Sequence, residues 1–445
     1  MNSAILDTLC ASRVSGHPQG ITSVCSANPI VLRATLRHAA RTGSVALIEA
    51  TCNQVNHDGG YTGMRPADFA GLVMRIAWEE GLDATRIVLG GDHLGPNPWR
   101  DEPAEVAMRQ AETMVAAYAA AGFHKLHLDT SMGCRGEPAA VGDELTASRA
   151  ARLAAVAEAA AGPDRARLRY VVGTEVPPPG GADHVIDQLE VTAPSAVRKT
   201  LDVHREAFLS CDLKGALERI LAVVVQPGVE YGNENIVGYD RDAGRELSAA
   251  LNDWPSLVYE AHSTDYQGAS ELTDLVEDGF SILKVGPELT FALREALYAL
   301  DLIASDLFPE YRCRSLKAEM ERLMVATPKY WMRHYAGGDG KAYYLRHYSL
   351  SDRIRYYWSL PQARECVENL MSCLEGQRIP LSLMWQHMPA AAGYSGRPLK
   401  VNELLISRVE SVLQKYRSAC RNKRATKGAK TEMMEDAGLE SAPLR

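Results

Sequence analysis

The sequence predicts an α/β protein, a (β/α)8 TIM barrel with a C-terminal helical extension, on three observations. Short β-branched apolar runs alternate with Ala-rich stretches of helical character. Eight such units fall within roughly 300 residues, the count and length of a TIM barrel. Almost every run ends in polar or glycine-rich residues, as barrel strands do where they enter the loops of the C-terminal face. A doubly wound open sheet is the competing arrangement, but no G-x-G-x-x-G follows the first run.

In order, the predicted strands are GITSVCS (20–26), VALIEA (45–50), RIVLGGD (86–92), KLHLD (125–129), LRYVVGTE (168–175), LAVVVQ (221–226), SLVYEAH (256–262) and FSILKVG (280–286). Between them, 102–121 and 145–161 are rich in Ala, Glu, Met and Leu, all strong helix formers, and 288–305 carries apolar residues at helical spacing. Residues 1–305 therefore form the barrel. Residues 306–420 break the alternation and contain an aromatic, basic segment (YWMRHYAGG, SDRIRYYW), predicted to be a helical extension packed on the barrel. Residues 421–445 lack apolar periodicity and are predicted to be a mobile tail.

The chain has 445 residues, 46% apolar and 23% charged, which is ordinary globular usage. A net charge of −8 argues against nucleic acid as partner, which needs a basic surface. The nine cysteines form no C-x-x-C pair and read as reduced thiols of a cytoplasmic protein. No signal peptide and no apolar run of membrane-spanning length is visible, so no membrane is expected.

Catalytic groups of such barrels stand where the strands end. Those positions hold Glu49, Asn53, Gln54 and Asn56, then Asp92 and His93, Asp129, Glu175, Gln226 and Glu230, Glu260 and His262, and Lys284 with Gly286. Each alone is an ordinary core or solvated residue. Together, imidazole and carboxylate on one rim suit a catalytic divalent metal, with His93, Glu175 and His262 as ligands and Gln226 as a weaker fourth. Asp92 suits general acid–base work, or else caps the turn that follows. Asp129 would bind substrate hydroxyls or serve as a second proton-transfer group. Ser263, Thr264 and Gly286 stand where barrels hold phosphate. Glu49, Asn53, Gln54 and Arg353 complete the expected substrate contacts.

The strings SVCSANPIVL, EATCNQVNHDGGYTGM, GGDHLGPNPW, GTEVPPPGG, VVQPGVEYGN, EAHSTDYQ, KVGPELTFALREAL and SDRIRYYW, in this order over roughly residues 15–400, resemble the GatZ/KbaZ family. That family comprises the Z subunits of tagatose-1,6-bisphosphate aldolase and related zinc-dependent sugar 4-epimerases, and is similar to class II aldolases. The resemblance implies Zn2+, or else Mn2+ or Co2+, held by His93, Glu175 and His262, with Asp92 as acid/base. Gln226 departs from the pattern, because catalytic aldolases have His there. The implied activity is carbon–carbon bond breaking and making on a phosphorylated ketohexose, foremost the 4-epimerisation of tagatose 6-phosphate to fructose 6-phosphate. The alternative is a non-catalytic subunit that stabilises and activates a catalytic aldolase Y subunit in galactitol, tagatose or N-acetylgalactosamine catabolism. A homo-oligomer is a further expectation. A kinase is not expected, since the chain has no G-x-x-x-x-G-K-[ST] loop.

Overall fold

A computed structural model describes residues 3–174, 189–311 and 314–421. Eight parallel strands close a barrel: β1 (Ile21–Cys25), β2 (Ala46–Thr51), β3 (Ile87–Leu94), β4 (Lys125–Leu128), β5 (Arg169–Val172), β6 (Ile220–Val225), β7 (Val258–Ala261) and β8 (Ile282–Val285). Each pairs with its chain neighbours, and β1 pairs with both β2 and β8 to complete the ring. All eight coincide with the predicted runs. One shift matters: β3 runs past the expected residue 92 to Leu94 and so takes in His93 as well as Asp92, which the expected run already held.

The strands alternate in a way that the barrel explains. Residues on the outer face, such as Ile48, Leu89, Leu126, Leu128, Tyr259, Leu283 and Val285, are buried under the helices in one continuous apolar shell. Residues on the inner face split by height. At the bottom, Leu47, Val88, Val171, Leu221, Val224, Val258 and Ile282 form a separate apolar plug. Above them the inner positions become charged.

The barrel helices are α2 (Pro29–Thr42), α3 (Pro66–Glu79), α4 (Ala104–Ala120), α5 (Asp143–Ala161), α6 (Pro194–Ser210), α8 (Arg245–Ala250), α9 (Ala269–Glu277) and α10 (Pro287–Leu307), with a single turn, α7 (Lys214–Leu217), before β6. Local sequence fixes their ends. Asn28 caps α2 by accepting from the Ile30 and Val31 N–H groups, Pro29 fills the first turn, and Gly43 at φ 68° ends the helix.

Further helices precede β1 and follow α10. An N-terminal helix, α1 (Ala4–Val14), closes the bottom of the barrel by adding Leu6 and Leu9 to the apolar plug. After α11 (Ser315–Ala326), α12 (Asp339–Tyr348), α13 (Pro361–Leu374) and α14 (Leu381–His387), a final helix α15 (Val401–Cys420) returns to the barrel. It packs on α2, α9 and α10, and the Cys420 carbonyl accepts from the Gly20 N–H, at 3.0 Å, where β1 begins. The segment expected as an extension thus supplies part of the barrel's own shell. The predicted tail, from 422 onward, lies outside the described residues. Among the described residues no helix is long and apolar enough to cross a membrane.

Candidate active site

The charged inner layer sits at mid-barrel. Lys125 on β4 lies 2.7 Å from Glu49 on β2 and 2.6 Å from Glu260 on β7, and all three side chains are fully buried. Ser23 on β1 donates to Glu49 at 2.5 Å. Lys284 on β8 reaches Glu49 at 2.9 Å and Asp92 at 2.7 Å. Gly90 leaves the space this needs, since a Cβ there would meet the Glu49 side chain at 2.7 Å. Burial works against the Lys284 ammonium, but Asp92, Glu260 and Glu49 outweigh it and hold the lysine well above its usual range. Lys284 is therefore a locked cation, unlike the desolvated amine that imine chemistry needs.

Above this layer three imidazoles converge. The ring centroids of His93, His127 and His262 stand 4.9, 5.0 and 5.1 Å apart in pairs. Each ring has one nitrogen beside a carboxylate: His93 Nδ1 lies 2.7 Å from Asp129 Oδ2, His127 Nδ1 3.0 Å from Asp92 Oδ1, and His262 Nε2 3.0 Å from Glu260 Oε1. The other nitrogen of each is left over, and His127 Nε2 is buried without a hydrogen-bond partner. Donor atoms of Asp92, His93, His127 and His262 all lie within 4.8 Å of one another. Carboxylate-oriented imidazoles facing one point are the usual support of a divalent metal.

Charge bears on the same question. With the imidazoles neutral, as metal ligands must be, four carboxylates (Glu49, Asp92, Asp129, Glu260) against two ammonium groups (Lys125, Lys284) leave two formal negative charges in a buried site. Such an excess is costly without a cation. Burial drives His262 down to about 3, helped by His93 and Lys284, so it is neutral and ready to ligate. Burial also opposes charge on His93, but Asp92 and Asp129 overcome it and raise that group. The residues present thus fit a divalent cation by orphaned nitrogen, ligand type and charge.

The backbone makes this convergence. Successive strand residues face opposite sides, yet Asp92 and His93 both face inward because His93 has φ 50°. On β4 the alternation K-L-H-L-D points Lys125, His127 and Asp129 inward. On β7, Glu260 and His262 do the same.

A cavity opens over the imidazoles. Its lining includes Asn53, Gln54, Asp92, His93, His262, Ser263, Asp265, Gly286, Arg355 and Tyr356. Of the residues singled out from sequence, Asp92, His93, His262, Asn53, Gln54, Ser263, Lys284 and Gly286 therefore meet here.

The others stand elsewhere. Glu49 is held in the ionic layer and does not reach the cavity. Asp129 is bound to His93 and to Ser131, whose hydroxyl donates at 2.8 Å, so it orients an imidazole instead of meeting substrate. Gln226 is outside the cluster: its Oε1 accepts from the Gly228 and Val229 N–H groups at 2.8 and 3.0 Å, closing a turn. Thr264 is buried beneath the cavity, donating to the Lys284 carbonyl at 2.6 Å. Arg353 turns away to the Tyr330 carbonyl at 3.1 Å, and Arg355 is the arginine at the mouth. Glu175 lies outside the described residues.

Sequence reading missed His127, Asp265 and Arg355. For His127 the signal was available, because it shares the inward parity of Asp129 two residues on. Arg355 carried none that separates it from Arg353.

Fold and site together define a (β/α)8 barrel with a buried cluster of three imidazoles and a carboxylate, able to hold a metal ion, at its C-terminal mouth. Over residues 6–421 the chain matches the D-tagatose-1,6-bisphosphate aldolase subunit GatZ/KbaZ-like family, and it belongs to that family. It is 54% identical to the D-tagatose 6-phosphate 4-epimerase of Agrobacterium fabrum over 420 residues, covering 94% of this chain and 98% of that one. It is 46% identical to the D-tagatose-1,6-bisphosphate aldolase subunit GatZ of Klebsiella pneumoniae, covering 92% and 98%. A crystal structure from Sinorhizobium meliloti, described as a probable tagatose 6 phosphate kinase, superimposes with a TM-score of 0.82 at 50% identity, covering 90% of this chain and all of that one.

Proposed function

We propose that the protein is a metal-dependent ketohexose-phosphate 4-epimerase that interconverts tagatose 6-phosphate and fructose 6-phosphate. The observation that carries this reading is the triangle of His93, His127 and His262, each ring beside its own carboxylate, with Asp92, His93 and His262 lining the cavity. Identity of 54% to a 4-epimerase supports the same reading. Zn2+ is the favoured occupant on ligand type, and Mn2+ or Co2+ suit the same donors. A divalent ion held by the three imidazoles would polarise the substrate ketone and offset the negative charge left on the cleaved fragment.

The protein's own groups do the rest. Asp92 takes the proton from the hydroxyl on carbon 4. The bond between carbons 3 and 4 breaks, its electron pair staying on carbon 3, and carbon 4 becomes an aldehyde. A half-turn of that aldehyde followed by re-addition inverts carbon 4. Lys284 holds Asp92 ionised from the barrel side: burial alone would raise the Asp92 carboxyl, but His93 and Lys284 bring it well below the usual range. Arg355 at the mouth suits the substrate phosphate, with Ser263 and Asn53 as hydroxyl partners. No phosphoryl-transfer loop supports a kinase.

The other reading, an accessory subunit of a catalytic aldolase chain, rests on the GatZ relative and on Gln226 standing where catalytic aldolases have His. It loses force if His127 supplies the third imidazole. The test is the purified chain alone, loaded with Zn2+, with tagatose 6-phosphate followed by carbon-resolved NMR. Fructose 6-phosphate should appear, and a chelator or His262→Ala should abolish it. No conversion by the chain alone, with triose phosphates forming from tagatose 1,6-bisphosphate only after an aldolase subunit is added, would replace the epimerase with the accessory role.

A further inference from the structure

A 4-epimerisation by bond cleavage makes a demand that one acid/base cannot meet. Before cleavage, oxygen 4 gives up its proton on one side of the substrate. After the aldehyde has turned, the new oxygen 4 points to the opposite side and must be protonated there. Asp92 is fixed on β3 by Lys284 and His127 and cannot serve both.

We propose that Asp265 is the second catalytic acid/base, acting on oxygen 4 from the side of the cavity opposite Asp92. This rests on the epimerase reading above. The placement comes from the ring: β3, which carries Asp92, and β7, which leads into the loop of Asp265, are four strands apart in either direction, and both residues line the cavity. The geometry then singles out one oxygen. Asp265 Oδ1 accepts from the Gly286 N–H at 3.0 Å and the Glu288 N–H at 2.8 Å, where β8 passes into α10. Oδ1 is thereby fixed as a carbonyl-type acceptor. Oδ2 has no hydrogen-bond partner among the described residues and is the oxygen left to carry a proton.

The surroundings suit that role. Burial, with Glu288 adding to it, raises the carboxyl to about 7, while the two backbone bonds and Arg355 pull the other way. Lys415 lies 2.6 Å from Glu288, and Tyr231, Tyr266 and Tyr416 complete the charged and titratable groups around Asp265. In the forward direction, the pair on carbon 3 attacks the turned aldehyde, and the alkoxide at oxygen 4 takes the proton from Asp265 Oδ2. Asp92 ends protonated and Asp265 ionised. The reverse reaction starts from that state, or solvent exchange resets it.

Asp265→Asn keeps the Oδ1 acceptor and removes the transferable proton. The metal-loaded full chain is tested with each epimer separately, measuring interconversion by NMR and aldehyde release by phenylhydrazine capture. Metal content and melting temperature should match the wild type. Interconversion should fall roughly 10²–10⁴-fold. Aldehyde release should persist within a few-fold from one epimer and be lost from the other, with Asp92→Asn showing the mirror image. Equal loss from both epimers would reduce Asp265 to a structural or positioning role and overturn the proposal. Undiminished interconversion would do the same, as would this split appearing instead in Tyr356→Phe, which removes a hydroxyl that accepts from Arg355 at 3.2 Å. If the wild type neither interconverts nor releases aldehyde, the epimerase reading itself falls and takes this assignment with it.

Discussion

His93 is a β-strand residue held at φ 50°, and Ser263 and Tyr266 in the loop after β7 are also at positive φ, 54° and 66°. A non-glycine residue in this region costs about 1–2 kcal/mol relative to ordinary backbone. The cost falls where two neighbouring side chains enter one site, since at His93 it turns both Asp92 and His93 into the cavity. His127 needs no such distortion, since parity alone turns it inward. Its unpartnered Nε2 gives the sharpest prediction at this scale. His127→Ala should leave the fold intact and lower bound metal well below the wild-type stoichiometry by elemental analysis, whereas full retention of metal would remove His127 from the ligand set. Asp92, His93 and His262 were legible because each ends a recognisable strand. His127 lies inside a strand, where the inward face it presents, and not its place in the run, marks it.

At the scale of elements, the strands were readable because a barrel strand is apolar on its outer face throughout its length. Their inner faces change from apolar to charged with height, which is why KLHLD and VYEAH alternate while ILAVVV does not. The helix α1 was not anticipated, because 11 residues with only Leu6 and Leu9 buried give little periodic signal. Its worth comes entirely from the plug it completes. Leu6 is fully buried there, and Leu6→Ala should cost about 2–5 kcal/mol by chemical denaturation, with no change in metal binding. A neutral result would mean that α1 does not close the barrel in solution. The helix α15 was expected in an extension, yet it fills a place in the barrel's own shell. Contacts with α2 and β1, some 380 positions away in sequence, do not register in local composition.

At the scale of the whole molecule, the ionic layer ties β1, β2, β4, β7 and β8 together beneath the imidazoles. It is both the floor of the site and a cross-brace of the barrel. Lys125 holds Glu49 and Glu260 at once with no exposure of any of the three. Lys125→Met would leave Glu49 and Glu260 to share Lys284, at 2.9 and 3.5 Å, as their ammonium partner, and should cost about 3–5 kcal/mol, read as a lower melting temperature. An unchanged melting temperature would show that Lys284 or water takes over the charge.

The sequence by itself determined the number, order and direction of the strands, the barrel, and the rim on which chemistry gathers. These follow from period-2 and period-3.6 patterning and from where polar residues interrupt it, all local properties. It also supplied the Asp92–His93 pair and His262. Only the tertiary structure decided that His127 joins them while Gln226 closes a turn, that Arg355 lines the cavity while Arg353 turns away, and that Asp265 shares the cavity with Asp92. Those outcomes depend on ring closure and backbone dihedrals, which bring together side chains tens to hundreds of residues apart. No local pattern encodes which of two neighbouring arginines, or which of several strand-end polar residues, the closed ring will turn toward its centre.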